Sequence, residues 1–267
     1  MNLYTRLLEL KSDGRLYSAI SERLRPWQIG IRSLIYSKAK KKVSLVIPSP
    51  VKPDPADIQI VQRIFEAFKK AKADQPNKGN IYFASDAWQG TLDKGYNQAL
   101  EAAKENDINK FHQFLTNFAS WPDSLGFEGS HQIKKLGSSM LRRGYIKETL
   151  FWNPYQHWKW HWGGRNKIKS IHESRVGNPG GAEIEGHFVT SNSFWNDIYG
   201  KLLANLVTDF DQPVISDLGG GSGRTAYSML QNLKGWKYMN FDLPEVLAVG
   251  SFFLMKNYPE KKALLYG

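Results

Sequence analysis

The chain has 267 residues, 41% of them hydrophobic and 13% aromatic, with a formal net charge of +11. That apolar content excludes a disordered polymer, and the absence of cysteine excludes a disulfide framework or a thiolate metal site. Met1–Leu10 is too charged for a signal peptide and no apolar run nears the ~18 residues of a spanning helix. A cytoplasmic protein without a membrane span is therefore expected.

Residues 1–40 read as helical, with Leu3, Leu7, Leu8 and Leu10 first and Ile31, Leu34 and Ile35 later. Lys38 to Lys42 reads as an exposed basic linker. Pro48, Pro50, Pro53 and Pro55 break regular structure, and Asp54-Pro55 then supplies an N-cap and a first helical residue. Ile60, Val61, Ile64, Phe65 and Phe68 follow at helical spacing. Gly79-Asn80 is a break, and Tyr96–Lys104 and Ile108–Phe118 read as two more helices. Residues 1–50 carry ten Lys/Arg against three Asp/Glu, and residues 134–175 carry ten against two. Such basic stretches attract phosphate-bearing partners when they are more than a solvated face.

Four of the nine tryptophans fall between Phe151 and Trp162. Rings at 158, 160 and 162 alternate with Lys159 and His161, which predicts a strand or an extended lining segment. Aromatic faces of this kind bind sugar rings or stack nucleobases, and they also fill cores. His157 and His161 are four apart, the spacing of two metal ligands on a helix. The strand reading and the lack of a glutamate after His157 make them structural, and no metal site is expected. Gly163-Gly164 and Asn178 to Gly181 are loop signals, and Glu183, Glu185 and His187 sit beside the second of them.

Ser193 reads as the cap of a helix whose apolar stripe runs from Phe194 to Phe210, expected to pack on a sheet beginning at Val214. Val214-Ile215-Ser216 is a short strand that ends in Asp217 and the loop Gly219, Gly221, Gly223. A second strand ends in Asp242, 25 positions after Asp217. Glycines are needed there because the chain turns sharply through positive φ and its backbone must approach a ligand. A dinucleotide loop would want glycine where Arg224 stands, and an acid before the loop repels a pyrophosphate. A second-strand acid accepts hydrogen bonds from ribose hydroxyls. The pattern therefore favours a nucleoside-bearing ligand without phosphate, such as S-adenosyl-L-methionine. Ala226 to Leu233 and Val246 to Met255 read as the next helices, and Ala263–Tyr266 as the start of a third strand.

Asp217-Leu218-Gly219-Gly220-Gly221-Ser222-Gly223 together with Phe241-Asp242-Leu243-Pro244 resembles class I S-adenosylmethionine-dependent O-methyltransferases, and among them the bacterial sugar O-methyltransferases. The resemblance implies an α/β fold with two parts. A mainly helical, aromatic-rich substrate region would span 1–190, and the first part of a Rossmann-like methyltransferase sheet would span 191–267. It implies that Asp217, Gly219, Gly220, Gly221, Ser222, Gly223, Asp242 and Leu243 hold the cofactor. The acceptor would be a sugar or glycan hydroxyl, with Trp158, Trp160, Glu183 and His187 as candidate contacts. The group that takes the hydroxyl proton would follow later strands, so no catalytic residue is named. Two strands and a stub make an incomplete sheet, and a C-terminally truncated, inactive fragment is the expectation. The alternatives are a methyltransferase for RNA or another small molecule, and a non-catalytic module that binds glycan or nucleic acid. The basic segments favour RNA; Phe241-Asp242-Leu243-Pro244 and the lack of an N-P-P-Y-like tetrapeptide disfavour it.

Overall fold

A computed structural model describes residues 42–79, 83–121, 130, 132–133, 140–164 and 168–267. The helix expected over 1–40 and nearly all of the basic linker lie outside them. The described chain is mixed α/β, mostly helical, with two small sheets.

The first sheet is antiparallel, in the order β1 (Val43–Val46), β2 (Gly181–Ile184), β3 (His187–Val189). Val43 faces Ile184 and Ala182 faces Val189 across its two ladders. Glu185 and Gly186 turn the β2–β3 hairpin with φ of 51° and 78°. Local periodicity could not reveal β1, because four residues beside a proline run become a strand only by pairing with a distant segment.

After β1 the chain enters α1 (Ile58–Asp74) through a 3-10 turn, Pro55–Asp57. Asp54 caps this turn as expected, its side chain accepting the Ala56 N–H at 3.0 Å. Val61, Ile64, Phe65 and Phe68 form the buried face of α1. Then come α2 (Asp86–Gly95), α3 (Asn97–Lys104) and α4 (Ile108–Asn117). Asp107 starts α4 by accepting the N–H groups of Asn109 and Lys110.

The tryptophan segment is helical, which corrects the strand expectation. A short helix, α5 (Met140–Ile146), passes through a π-helical turn, Lys147–Trp152, into α6 (Asn153–His161). Pro154 follows the π-helical turn inside a continuous helical run, where it can donate no N–H to the turn before it. Residues two apart on a helix are about 200° apart, so alternation over a few positions fits a helix with one buried side as well as a strand.

Helix α7 (Ser193–Val207) buries Phe194, Ile198 and Ala204. Its main partner is α8 (Arg224–Leu230) rather than the sheet directly. Gly200 permits this: a Cβ there would lie 2.8 Å from the backbone nitrogen of Met229. The cap residue is Asn192 rather than Ser193, whose hydroxyl is used elsewhere. Most of the rest of the expected stripe, including Tyr199, Leu206 and Phe210, is exposed.

The second sheet joins β4 (Val214–Leu218) and β5 (Lys237–Phe241) in parallel, with Val214 opposite Lys237 and Leu218 opposite Phe241. Ile215 and Tyr238 pack with Met229 and Leu230 of α8; Val214, Leu218, Met239 and Phe241 are exposed. Helix α9 (Pro244–Asn257) leaves β5 and lies on α1. Val246, Val249, Phe252 and Phe253 of α9 share one core with Phe65, Phe68, Phe111 and Phe114. The largest core thus crosses residue 190, and the glycine loop is built against the N-terminal helices.

Ala263–Tyr266 is not a strand. It follows α1 instead: Arg63 donates to the Ala263 carbonyl at 2.8 Å, the Tyr266 hydroxyl donates to Asp74 at 3.0 Å, and Leu265 packs on the α1 core. Extended residues become strand only where a sheet edge pairs with them, and α1 takes these first. Among the described residues no helix is long and apolar enough to cross a membrane.

Candidate functional site

The loop between β4 and α8 owes its shape to its glycines. Gly219, Gly221 and Gly223 have φ of 79°, 58° and 77°, left-handed values that side chains disfavour. The Gly219 N–H donates to the Phe241 carbonyl at 2.7 Å, and the Gly223 N–H to the Gly220 carbonyl at 3.0 Å. Gly220 is small for another reason: a Cβ there would lie 2.5 Å from the side-chain oxygen of Asn240 and 2.8 Å from Asp217. From the other side α9 supports the loop at Gly250, where a Cβ would lie 2.8 Å from the Gly221 carbonyl oxygen.

Asp242, just past β5, joins the two halves of the motif. Its Oδ2 accepts the Gly221 N–H at 2.9 Å and its Oδ1 accepts the Leu243 N–H at 2.7 Å. A carboxylate has about four acceptor positions, so Asp242 retains capacity for a ligand's hydroxyls. Asp217 does different work: it accepts the Tyr238 hydroxyl at 2.8 Å behind Gly220. Burial first, then Asp217, pushes the Tyr238 phenol well above its ordinary pKa, so it remains a donor.

A cavity of about 560 Å³ lies against this loop, within the range of small-molecule sites. Gly219, Gly220, Gly221, Ser222, Asp242 and Leu243 line it. Asp217 and Gly223, from the same predicted set, stand behind the loop and shape it. The cavity is also lined by Phe83, Trp88 and Leu92 in and before α2, by Asn192 and Asn196 at the start of α7, and by Arg224 and Thr225 of α8, just after the loop.

Sequence reasoning missed these wall residues. Phe83 and Trp88 are about half exposed, Phe83 within the run Ile81-Tyr82-Phe83-Ala84 and Trp88 among polar residues, and no local pattern singles them out. Arg224 is 4% exposed and buried against Glu173 and Thr190; the Ser193 hydroxyl also donates to Glu173 at 2.6 Å. This polar cluster ties the start of α8 to β3 and α7, and it neutralises the guanidinium beside the cavity.

The four residues expected to contact an acceptor do not line the cavity. Trp158 is fully buried and its indole N–H donates to Asp197 at 2.8 Å. Trp160 is 76% exposed on the other side of α6, beside His157. Glu183 pairs with Arg175 at the surface at 3.2 Å, and His187 meets the ring of His172 edge-on. His157 and His161 do share a helix, yet the described residues contain no cluster of three or more His, Asp or Glu placed to hold a metal.

The arrangement offers a backbone surface without side chains at Gly219 and Gly221, where an added Cβ meets nothing within 4 Å. It also offers a carboxylate with spare acceptor capacity and two aromatic side chains, Phe83 and Trp88, lining the same cavity. No family model matches the chain, and no curated protein or solved structure matches it either.

Proposed function

We propose that the cavity beside Gly219–Ser222 is the S-adenosyl-L-methionine site of a Rossmann-like O-methyltransferase whose acceptor is a sugar or glycan hydroxyl. The observation that carries the reading is the bond from Gly221 to Asp242. It sets a ribose-type acid against a side-chain-free loop at the end of two parallel strands. The residues fit the cofactor on three counts. Asp242 can accept two vicinal hydroxyls, the loop admits close approach, and the one arginine in the wall is already paired with Glu173. A phosphate-bearing ligand would want that cation free; a phosphate-free nucleoside does not.

When bound, the cofactor supplies the electrophilic methyl. The protein's own contribution is to hold the nucleoside at Asp242, to keep water from the apolar side of the cavity, and to align the acceptor. Trp88 and Phe83 present aromatic surface on which a sugar ring stacks, and Asn192 and Asn196 present amides for its hydroxyls.

Calorimetric titration with S-adenosylmethionine, S-adenosylhomocysteine, NAD and ATP tests the reading. Saturable binding of the first two and neither of the others is expected. Binding of neither sulfur nucleoside, or tighter binding of NAD, overturns it. Transfer of labelled methyl groups to a panel of sugars and glycans then tests the acceptor class.

A further inference from the structure

Helix α7 is apolar on two sides. Its inner side, with Phe194, Ile198 and Ala204, is buried, and Gly200 brings it against α8. Its outer side carries Trp195, Tyr199, Leu202 and Leu206 at the i, i+4, i+7, i+11 spacing of a single stripe. Leu203 lies beside them, and Phe210 follows just beyond the last turn. These six residues are 41–73% exposed, so no described element covers them. A surface helix ordinarily shows a charged face to water, and a helix apolar all round is ordinarily enclosed. The only charged residues of α7 are Asp197 and Lys201. They pair with each other at 2.8 Å, and Asp197 is buried. No charge interrupts the stripe.

We infer that this stripe is the interface of a homodimer, in which a second copy of the chain lays its own α7 antiparallel on it about a two-fold axis. The inference stands apart from the cofactor reading. Three observations carry it. The first is area: the six residues expose on the order of 700 Å², above the ~300–600 Å² of the largest patch on a typical monomer and near the ~800 Å² per partner of a standard stable interface. The second is charge. The chain carries +11, so two copies repel over most of their surface and meet at least cost on an uncharged face. A nucleic acid would instead need cations along the stripe, and the one lysine of α7 is committed to Asp197. The third is self-complementarity. Reversing the stripe about the midpoint of Leu202 and Leu203 sets Tyr199 against Leu206 and Trp195 against Phe210, an apolar side chain facing an aromatic one each time. Trp195 and Tyr199 are then the aromatic anchors that such interfaces favour.

Sedimentation equilibrium on the full chain tests this, with twice the mass of one chain expected at micromolar concentration. Leu206→Glu sets a carboxylate into an apolar contact in both halves and should weaken the dimer at least about a hundredfold. Leu206 is 73% exposed, so the variant's circular dichroism should stay native. A second measurement uses the absence of cysteine from the chain. Leu203→Cys puts one thiol beside the axis, and a short bis-maleimide should join two chains through it. Glu66→Cys, exposed on α1, should stay single under the same treatment. A monomeric wild type overturns the inference, whatever then covers the stripe. So does a dimer that Leu206→Glu leaves intact, or equal crosslinking at the two thiols. Open-ended assembly overturns it as well, because a two-fold contact closes. The crosslinking comparison decides alone if Leu206→Glu does not fold.

Discussion

The Oδ2 atom of Asp242 accepts the backbone N–H of Gly221 at 2.9 Å, so the acid that follows one strand fixes the loop that follows its neighbour. Asp242→Ala removes this anchor together with the acceptor for a ribose diol. Affinity for S-adenosylmethionine should fall by about 1–3 kcal/mol, the range for a lost partner in a buried hydrogen bond. Unchanged affinity in calorimetry would take Asp242 out of the site.

Two glycines test the loop from opposite sides. Gly221→Val puts a β-branched residue at φ 58° beside the cavity, at a backbone cost of about 1–3 kcal/mol. It should abolish ligand binding while circular dichroism of the helices persists. Gly250→Ala never reaches the cavity, yet its Cβ would press on the Gly221 carbonyl at 2.8 Å. It should weaken binding too and lower the melting temperature. A Gly250→Ala protein with normal affinity would show that the loop does not depend on α9.

Three tryptophans should separate by place rather than by type. Trp158→Ala empties a fully buried position and removes one of the donors to Asp197, and should destabilise by about 3–5 kcal/mol. Trp160→Ala, at an exposed position, should leave stability, cofactor affinity and acceptor KM unchanged. Trp88→Ala should raise the acceptor KM, because its ring lines the cavity. A raised KM in Trp160→Ala instead would return the acceptor site to α6.

The buried pair of Arg224 and Glu173 should behave asymmetrically. Breaking it with Glu173→Gln or Arg224→Met removes the ion-pair counterpart of a buried charge, and each should cost about 3–5 kcal/mol in chemical denaturation. Removing both charges together should restore much of that loss. Additive losses in the double variant would mean that the two residues act independently.

His112 is 4% exposed and its Nε2 has no partner. Burial pushes its pKa below the ordinary value of 6.5, against the pull of Asp57 and Asp54. The unfolded chain therefore takes up a proton that the folded chain refuses. The neutral form's contribution to stability is fully present above the unfolded pKa, is lost as pH falls through 6.5, and levels off below the folded pKa. The melting temperature should drop on acidification through that window, and His112→Phe should flatten the drop. An equal drop in both proteins would assign it to other groups.

Local chemistry determined the loop and its flanks. Left-handed φ at Gly219, Gly221 and Gly223 demands glycine, a short apolar run before an acid and glycines marks the strand at Val214, and Asp54-Pro55 supplies a cap and a first helical residue, so these were readable in the sequence. Tertiary structure decided everything that depends on a partner far along the chain. β1 exists because β2 pairs with it, and α7 chose α8 because Gly200 lets two backbones meet. Trp158 became core while Trp160 stayed in water, since a helix turns neighbours of that spacing to opposite sides. The cavity's aromatic wall shows the same division. Phe83 and Trp88 face the glycine loop only because α9 packs on α1 and carries the whole strand pair against the N-terminal helices, a contact between core surfaces that no local pattern encodes.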